Sequence, residues 1–466
     1  MRWKPSAWLS DALSALSVRA VGIVLVFVST TILARNLGPT EYGTYSAALG
    51  LAMLLSTLAP LGTDRILSQT LACTLKNDES NQNISGISDS AKAIAAAYQC
   101  TIISMGFLLT LLIAFAVLSS LAGMSSAWTA TTLSAAIIFV PLTLSYLRQW
   151  TAMPIVGTSR AMVAEQTLLP AVLITVVLLS DLCGWEFSAI NIAMIYAALS
   201  GVVFAGSISF GRLHVLHLTA LKLAFRMSRD DVFAMLRRGL PLVAVSIGAV
   251  ASQTSLPMAI AAGCGFENAA CFALAIPYAI LPAVPLGVLG LSLIPQCARF
   301  HASGEMAQAN HCVRSAATLT SWSAILTGAA IWLISPQLIQ ILGPQYEAVV
   351  HVMPILLLAT LIDCLTGPTV PVMQTMGLQH FYARAFFGHW PLQLILVISL
   401  GGFWGLKGAA AGYLISRSLW NLLIVIQIYR SPGLLMLPYL NPLQAFVTDR
   451  SSLLSELSVA AKARTA

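Results

Sequence analysis

Charge is scarce in this chain. Asp, Glu, Lys and Arg make up only 9% of its 466 residues, against about 25% in ordinary soluble domains. A surface that poor in charge does not keep a protein in water, so a soluble enzyme or carrier is excluded. The 58% apolar content and mean hydropathy of +0.84 say the same. Metal spacing is missing too. Cys73, Cys100, Cys183, Cys264, Cys271, Cys297, Cys312 and Cys364 are dispersed, with no Cys-x-x-Cys pair and no neighbouring histidine set, which leaves no zinc centre to expect. Cys264 and Cys271 flank one turn, where a disulfide is conceivable and apolar filler is the plainer reading. The absence of Gly-x-x-x-x-Gly-Lys-Ser/Thr argues against an ATP-driven pump in this chain alone. No nucleophile elbow places Ser, His and Asp for hydrolysis. A glycan polymerase or ligase would need a large basic outer loop, and the gaps here are short. No cleavable signal peptide is evident: residues 6–16 are amphipathic and contain Asp11, and the first apolar run is long enough to stay in a bilayer.

What the chain has is apolar length. A helix rising 1.5 Å per residue needs about 20 residues to cross about 30 Å of hydrocarbon. Runs of that kind fall at residues 13–34, 43–63, 94–120, 129–149, 162–180, 188–211, 239–262, 269–294, 313–334, 346–376, 383–402 and 407–429. They predict an all-α polytopic membrane protein of about 12 spans. The tenth run is long enough to be tilted, kinked at Pro354 or Pro368, or partly interfacial.

The positive charges give an orientation. Of the 24 Lys and Arg, only Arg35 and Lys407 fall in outside gaps once the N-terminus is placed inside, while Arg19 and Arg417 fall within spans. All the others lie on the inner side, which predicts both termini in the cytoplasm and an even number of spans. The net charge of +7 is therefore a topology signal set against an anionic inner leaflet, and nucleic acid is not an expected partner. The longest polar gap divides the chain into an N-terminal lobe (1–211, spans one to six), a basic cytoplasmic linker (212–238), a C-terminal lobe (239–430, spans seven to twelve) and a cytoplasmic tail (431–466). Sparse matches relate the halves. The turn holding Glu41 aligns with the turn holding Glu267, and Met153-Pro-Ile-Val-Gly157 aligns at a similar shift with Met373-Gln-Thr-Met-Gly377. Halves with an even number of spans share orientation, as in a parallel repeat around a central cavity.

Two stretches carry a family likeness. One is Leu33-Ala-Arg-Asn-Leu-Gly-Pro-Thr-Glu-Tyr-Gly-Thr-Tyr45. The other is Ile341-Leu-Gly-Pro-Gln-Tyr-Glu347, followed by Gly405-Leu-Lys-Gly-Ala-Ala-Ala-Gly412. With the span count and the division into halves, the chain resembles the oligosaccharide flippases of the multidrug/oligosaccharidyl-lipid/polysaccharide (MOP) exporter superfamily, the Wzx-type polysaccharide transporters, over most of residues 10–430. The resemblance implies a MATE-like fold in the bacterial cytoplasmic membrane and alternating access by two lobes. It implies transport of undecaprenyl-diphosphate-linked oligosaccharide to the outer leaflet without catalysis. Coupling to an ion gradient, H+ or Na+, takes the place of any cofactor. A polysaccharide polymerase and a chain-length regulator are the partners to look for beyond the bilayer. Lipid II flippases and multidrug exporters of the same superfamily are the alternatives. The motif residues also have local uses: Gly38, Gly43 and Gly343 suit tight turns, Pro39 and Pro344 suit helix starts, and Glu41 and Glu347 suit helix N-termini.

A diphosphate head needs cations inside spans, where an ionisable group is costly and each one is a candidate site. Arg suits phosphate because its planar fork donates in pairs. Arg19 in span one and Arg417 in span twelve are the candidates for the head, with Arg35 at the outer end of span one for release and Gln253 in span seven for sugar. Asp363 in span ten either pairs with Arg417 as a structural bridge or stands apart to take up the coupling ion. His389 is a second coupling candidate, against the plainer reading of a satisfied buried histidine, and His351 is weighed the same way. Asp64 with Arg65 reads as a local boundary pair. Arg148 and Arg384 read as orientation signal, with substrate recruitment as the alternative. Trp128, Trp150, Trp185, Trp332 and Trp404 read as interface anchors.

Overall fold

The computed structural model describes residues 5–71, 85–208 apart from 186, 219, 223, and 229–441 apart from 249, 432 and 440. Most of the expected linker and all but the start of the tail lie outside these residues. Every regular element among the described residues is helical.

The first two expected spans form one run, α1 (Pro5–Leu58), made of two helices joined at Gly38. Gly38 takes φ 73°, which glycine reaches without steric cost, and Pro39 lacks the N–H needed to continue the turn. Spans three and four are α2 (Ser85–Leu121) and α3 (Ser126–Val156). Span five is α4 (Thr158–Val163), a π turn (Ala164–Leu168) and α5 (Leu169–Leu182). Span six is α6 (Ala189–Ile208), and the polar helix α7 (Arg229–Gly239) follows the linker. Span seven comes in pieces, α8 (Val243–Gly248), α9 (Ala251–Thr254) and α10 (Leu256–Cys264). Span eight is α11 (Phe266–Ile280) with α12 (Val284–Ser303), and span nine is α13 (Met306–Leu342). Span ten is α14 (Ala348–Leu365) with α15 (Thr369–Thr375). The last two spans are one run, α16 (Gln379–Arg430), broken at Trp404 and Gly405. Nine helices among the described residues are long and apolar enough to cross a membrane. Two of them are the double runs, and fragmented span seven is not among the nine, so each of the expected runs has a helical counterpart.

The distribution of side chains is that of a protein solvated by hydrocarbon. Leu182, Phe403 and Leu121 stand about four-fifths exposed, while the interior is rich in Ala, Ser and Thr, small residues that let helices approach. Span ten breaks at Gly367-Pro368, and Pro354 lies inside the continuous α14. Pro368 has no N–H for the carbonyl of Cys364. That oxygen is satisfied instead by Gly367 N–H at 3.1 Å and by the hydroxyls of Thr320 and Ser321 on α13, at 3.0 and 3.2 Å.

The helices pack as two compact units. One holds Met1–Leu274, Ile341–Ala348 and Val397–Ala409. The other holds Ala275–Gln340, Val349–Leu396 and Ala410–Ala466. By packing, span seven therefore goes with the first six.

Within the first unit the family-like stretches meet one another. Tyr346 donates its hydroxyl to the Ala34 carbonyl at 2.7 Å, one turn before the Gly38 break. A Cβ on Gly43 would lie 1.9 Å from the carbonyl oxygen of Phe266, so only glycine fits there. Thr40 donates to Glu267 at 3.2 Å, which joins the two turns aligned with each other in the sequence. Glu41, three residues past the Gly38 break, also serves a second helix: its Oε2 accepts the Ala189 N–H at 2.7 Å and caps α6. Cys264 and Cys271 are free thiols, so this turn carries no bridge.

Candidate functional site

Four carboxylates among the described residues are buried or half-buried: Glu41, Asp64, Glu165 and Asp363. Glu41 is the helix cap just described. The other three each meet an arginine, and the quality of the pairing differs.

Asp363, on α14 just before the Gly367 break, pairs with Arg417 on α16: Arg417 Nη2 lies 2.5 Å from Asp363 Oδ2. Asn421, one turn along α16, donates to Asp363 Oδ1 at 2.6 Å, and Thr366 donates to Asn421 Oδ1 at 2.8 Å. The two side chains are therefore paired and not apart. Both side chains keep under a fifth of their exposure, and Arg417 Nε is buried without a hydrogen-bond partner. His389 lies on the same helix run, with Nε2 2.8 Å from the Ser416 hydroxyl and 2.9 Å from the Ser416 carbonyl, and its ring 4.8 Å from that of Trp420. It has the partners of a satisfied buried histidine. The second unit thus holds a connected polar centre of Asp363, Asn421 and Arg417, with His389 bonded to the residue next to Arg417.

Arg148 is not an exposed charge at a span end. It is 2% exposed, and Nη2 donates to both oxygens of Glu165 at 2.5 and 2.6 Å, Nε to Oε1 at 3.0 Å, and Nη2 to the Ala161 carbonyl at 2.9 Å. Glu165 sits in the π turn, a local widening that recurs at functional positions. Gly22 on α1 packs on the same turn: a Cβ there would lie 2.6 Å from the Gln166 carbonyl oxygen. Arg384, by contrast, is exposed.

Asp64 and Arg65 are more than a local pair. Asp64 is fully buried. Its carboxylate accepts the Ser246 hydroxyl from α8 at 3.1 Å and the Tyr146 hydroxyl from α3 at 3.2 Å. Arg65 stands 3.7 Å away, points its Nε at Ser246 at 3.4 Å, and stacks over the Trp150 ring at 4.0 Å. Trp150 is therefore part of this cluster. The partners lie 82 and 182 residues away in the chain, beyond what sequence patterns disclose.

The other candidates are placed singly. Arg19 is on α1, and its side chain is outside the described residues. Arg35 is exposed one turn before Gly38, and His351 is exposed near the start of α14. Gln253 is exposed on the short α9, in the broken middle of span seven.

The model of the family described as polysaccharide biosynthesis protein matches residues 9–301. No curated protein matches the chain. Among solved structures, it is similar to an inward-facing multidrug resistance MATE family transporter of the MOP superfamily. The TM-score is 0.69 at 15% identity, covering 91% of this chain and 98% of that one. An outward-facing MATE family transporter gives 0.59 at 15% identity, over 91% and 95%. A MOP superfamily transporter from Pyrococcus furiosus, described as having a binding pocket of reversed polarity, gives 0.57 at 14% identity, over 91% and 95%. At these identities the likeness establishes the fold, that of MOP-superfamily membrane transporters.

Proposed function

The chain belongs to the polysaccharide biosynthesis protein family, a family of membrane transporters rather than enzymes, and on that premise we propose that it is a flippase for lipid-linked glycan. Its cargo is an undecaprenyl-diphosphate-linked oligosaccharide repeat unit, carried from the cytoplasmic to the outer leaflet of the bacterial inner membrane by alternating access. The observation that carries the reading is Arg417, a guanidinium kept deep in an apolar span with one carboxylate partner and a spare buried Nε. A charge there costs several kcal/mol and is retained where a function uses it.

A diphosphate offers the same fork-matching oxygens as a carboxylate, with more charge. In this mechanism the head takes Arg417 from Asp363. The freed carboxylate keeps Asn421 and gains the coupling ion, H+ or Na+. Within the first unit, Arg19 and Arg35 are the proposed contacts for the head and Gln253 for sugar. The multidrug alternative is disfavoured by the same contacts, because Asp363 is occupied by Arg417 and Asn421 and offers no open anionic pocket to a cationic drug.

Complementation of a strain lacking its own flippase tests this. Arg417→Ala and Arg19→Ala are expected to abolish surface glycan while the protein still inserts, and Arg19→Lys to keep part of the activity. The double variant Arg417→Gln with Asp363→Asn removes both charges together, so no lone buried ion remains, and is also expected to be inactive. Full complementation by Arg417→Ala and Arg19→Ala would eliminate the site.

A further inference from the structure

Of the three buried carboxylates that meet an arginine, two are closed by short ion pairs. Glu165 is held at 2.5 and 2.6 Å by Arg148, and Asp363 at 2.5 Å by Arg417. A proton arriving at either must displace a guanidinium. Asp64 differs. It is the most buried of the three, yet its arginine stands at 3.7 Å and is itself turned toward Ser246 and Trp150. Two neutral hydroxyls hold the carboxylate, and both can turn round to accept from a protonated acid.

We propose that Asp64 is a proton-binding site at the cytoplasmic end of span two, and that its protonation releases Arg65 from a cluster that joins three segments of the first unit. The segments are the helix at residues 63–71, α3 through Tyr146, and α8 through Ser246. Among the described residues, the charged and titratable groups facing Asp64 are Arg65 on its own helix and Tyr146 on α3, while α8 presents the Ser246 hydroxyl. Beneath it the packing is apolar, with Leu67 and Leu71 from its own helix buried against Ile94, Leu147 and Met235. A negative charge is therefore poorly solvated from that side. Arg65, about a third exposed, marks where the proton enters from water.

The step balances simply. One proton passes from cytoplasmic water to an Asp64 oxygen, and the new O–H donates to the Ser246 or Tyr146 oxygen. Arg65 keeps its charge but loses its counter-ion and leaves the cluster. The Arg65 contact that is lost lies beside a tight backbone crossing. Gly62, at φ 78°, and Gly239 meet so closely that a Cβ on Gly62 would stand 2.1 Å from the Gly239 carbonyl oxygen. The crossing connects the end of span two to the junction of α7 with span seven. Burial of Asp64 raises its carboxyl above the ordinary carboxylate range, against the lowering pull of Arg65, Ser246 and Tyr146.

The consequence for transport rests on the flippase reading, but proton binding does not, and the experiment separates them. The protein is placed in nanodiscs of phosphatidylethanolamine and phosphatidylglycerol with no substrate. Fluorescence of Trp150, isolated as the difference from Trp150→Phe, is followed against pH together with hydrogen exchange in residues 58–71 and 243–248. The wild type is expected to show one acid-side transition in which Trp150 loses its cation and exchange in both segments changes with it. Asp64→Asn is expected to be fixed in the acid form at all pH, and Asp363→Asn to titrate like wild type. Persistence of the transition in Asp64→Asn overturns the proposal. In cells, Asp64→Asn should lose glycan export and Asp64→Glu should retain it with a shifted pH dependence. Intact export by Asp64→Asn overturns the coupling role. If glycan export proves independent of the whole chain, the flippase reading fails, while the nanodisc titration still decides for or against Asp64.

Discussion

At the scale of single residues, the three ion pairs predict different responses to the same kind of substitution. Arg148→Leu leaves Glu165 buried without its guanidinium, and breaking a buried pair by removing one partner costs about 3–5 kcal/mol. Thermal unfolding in detergent should show a large loss of stability, and Arg148→Met with Glu165→Leu should recover most of it. For Asp64 the sign follows from the raised carboxyl. The folded protein holds this proton more tightly than the unfolded chain. Its stabilising contribution is complete below the ordinary carboxylate range and is lost as pH rises through the folded-state value. Asp64→Asn should flatten that part of the curve of melting temperature against pH, and an unchanged slope would remove Asp64 from the account. The sequence exposes these residues unequally. Arg417 and Asp363 stand out because each is a charge in an apolar run. Arg148 and Asp64 sit at run ends, where orientation and boundary roles are the ordinary reading. Only three-dimensional packing brings Glu165 under one, and Tyr146 and Ser246 around the other.

At the scale of elements, the helix breaks are chemical and were partly readable. Gly38-Pro39 announces the first break, because glycine supplies the positive φ and proline withholds the N–H. Span ten holds two prolines, and sequence does not choose between them. The structure selects Gly367-Pro368, where α13 supplies the Thr320 and Ser321 hydroxyls to the orphaned Cys364 carbonyl. In hydrocarbon no water replaces such donors. Thr320→Val with Ser321→Ala leaves that carbonyl the Gly367 N–H at 3.1 Å and removes two hydrogen bonds, so it should cost about 1 kcal/mol per bond lost and should raise hydrogen exchange at residues 366–369. Either single change leaves one hydroxyl and should cost less. Glu41 shows where element-level reading fell short. The preference for an acid at a helix N-terminus holds, but the helix it caps begins at Ala189, more than a hundred residues on.

At the scale of the whole molecule, the asymmetry of positive charge makes a prediction that one native residue can test. With both termini inside, the turn between spans five and six faces outward. Cys183 lies in that turn and is exposed, after the last residue of α5. The other described cysteines are buried or half-buried. A membrane-impermeant maleimide added to spheroplasts should therefore label wild-type protein, and Cys183→Ser should lose most of that label. Cys73, which lies on the inner side by the charge rule, gives the converse: in a Cys183→Ser background, its labelling should appear only after the membrane is opened. The reverse order, with spheroplast labelling carried by Cys73 and kept in Cys183→Ser, and Cys183 labelled only after the membrane is opened, would place the termini outside. That result would also turn the cytoplasmic approach of Asp64 and Arg65 into an outer one, because both sit at the same end of span two as the Cys73 segment. The orientation of the chain and the side from which its buried acid takes a proton thus stand or fall on one labelling pattern.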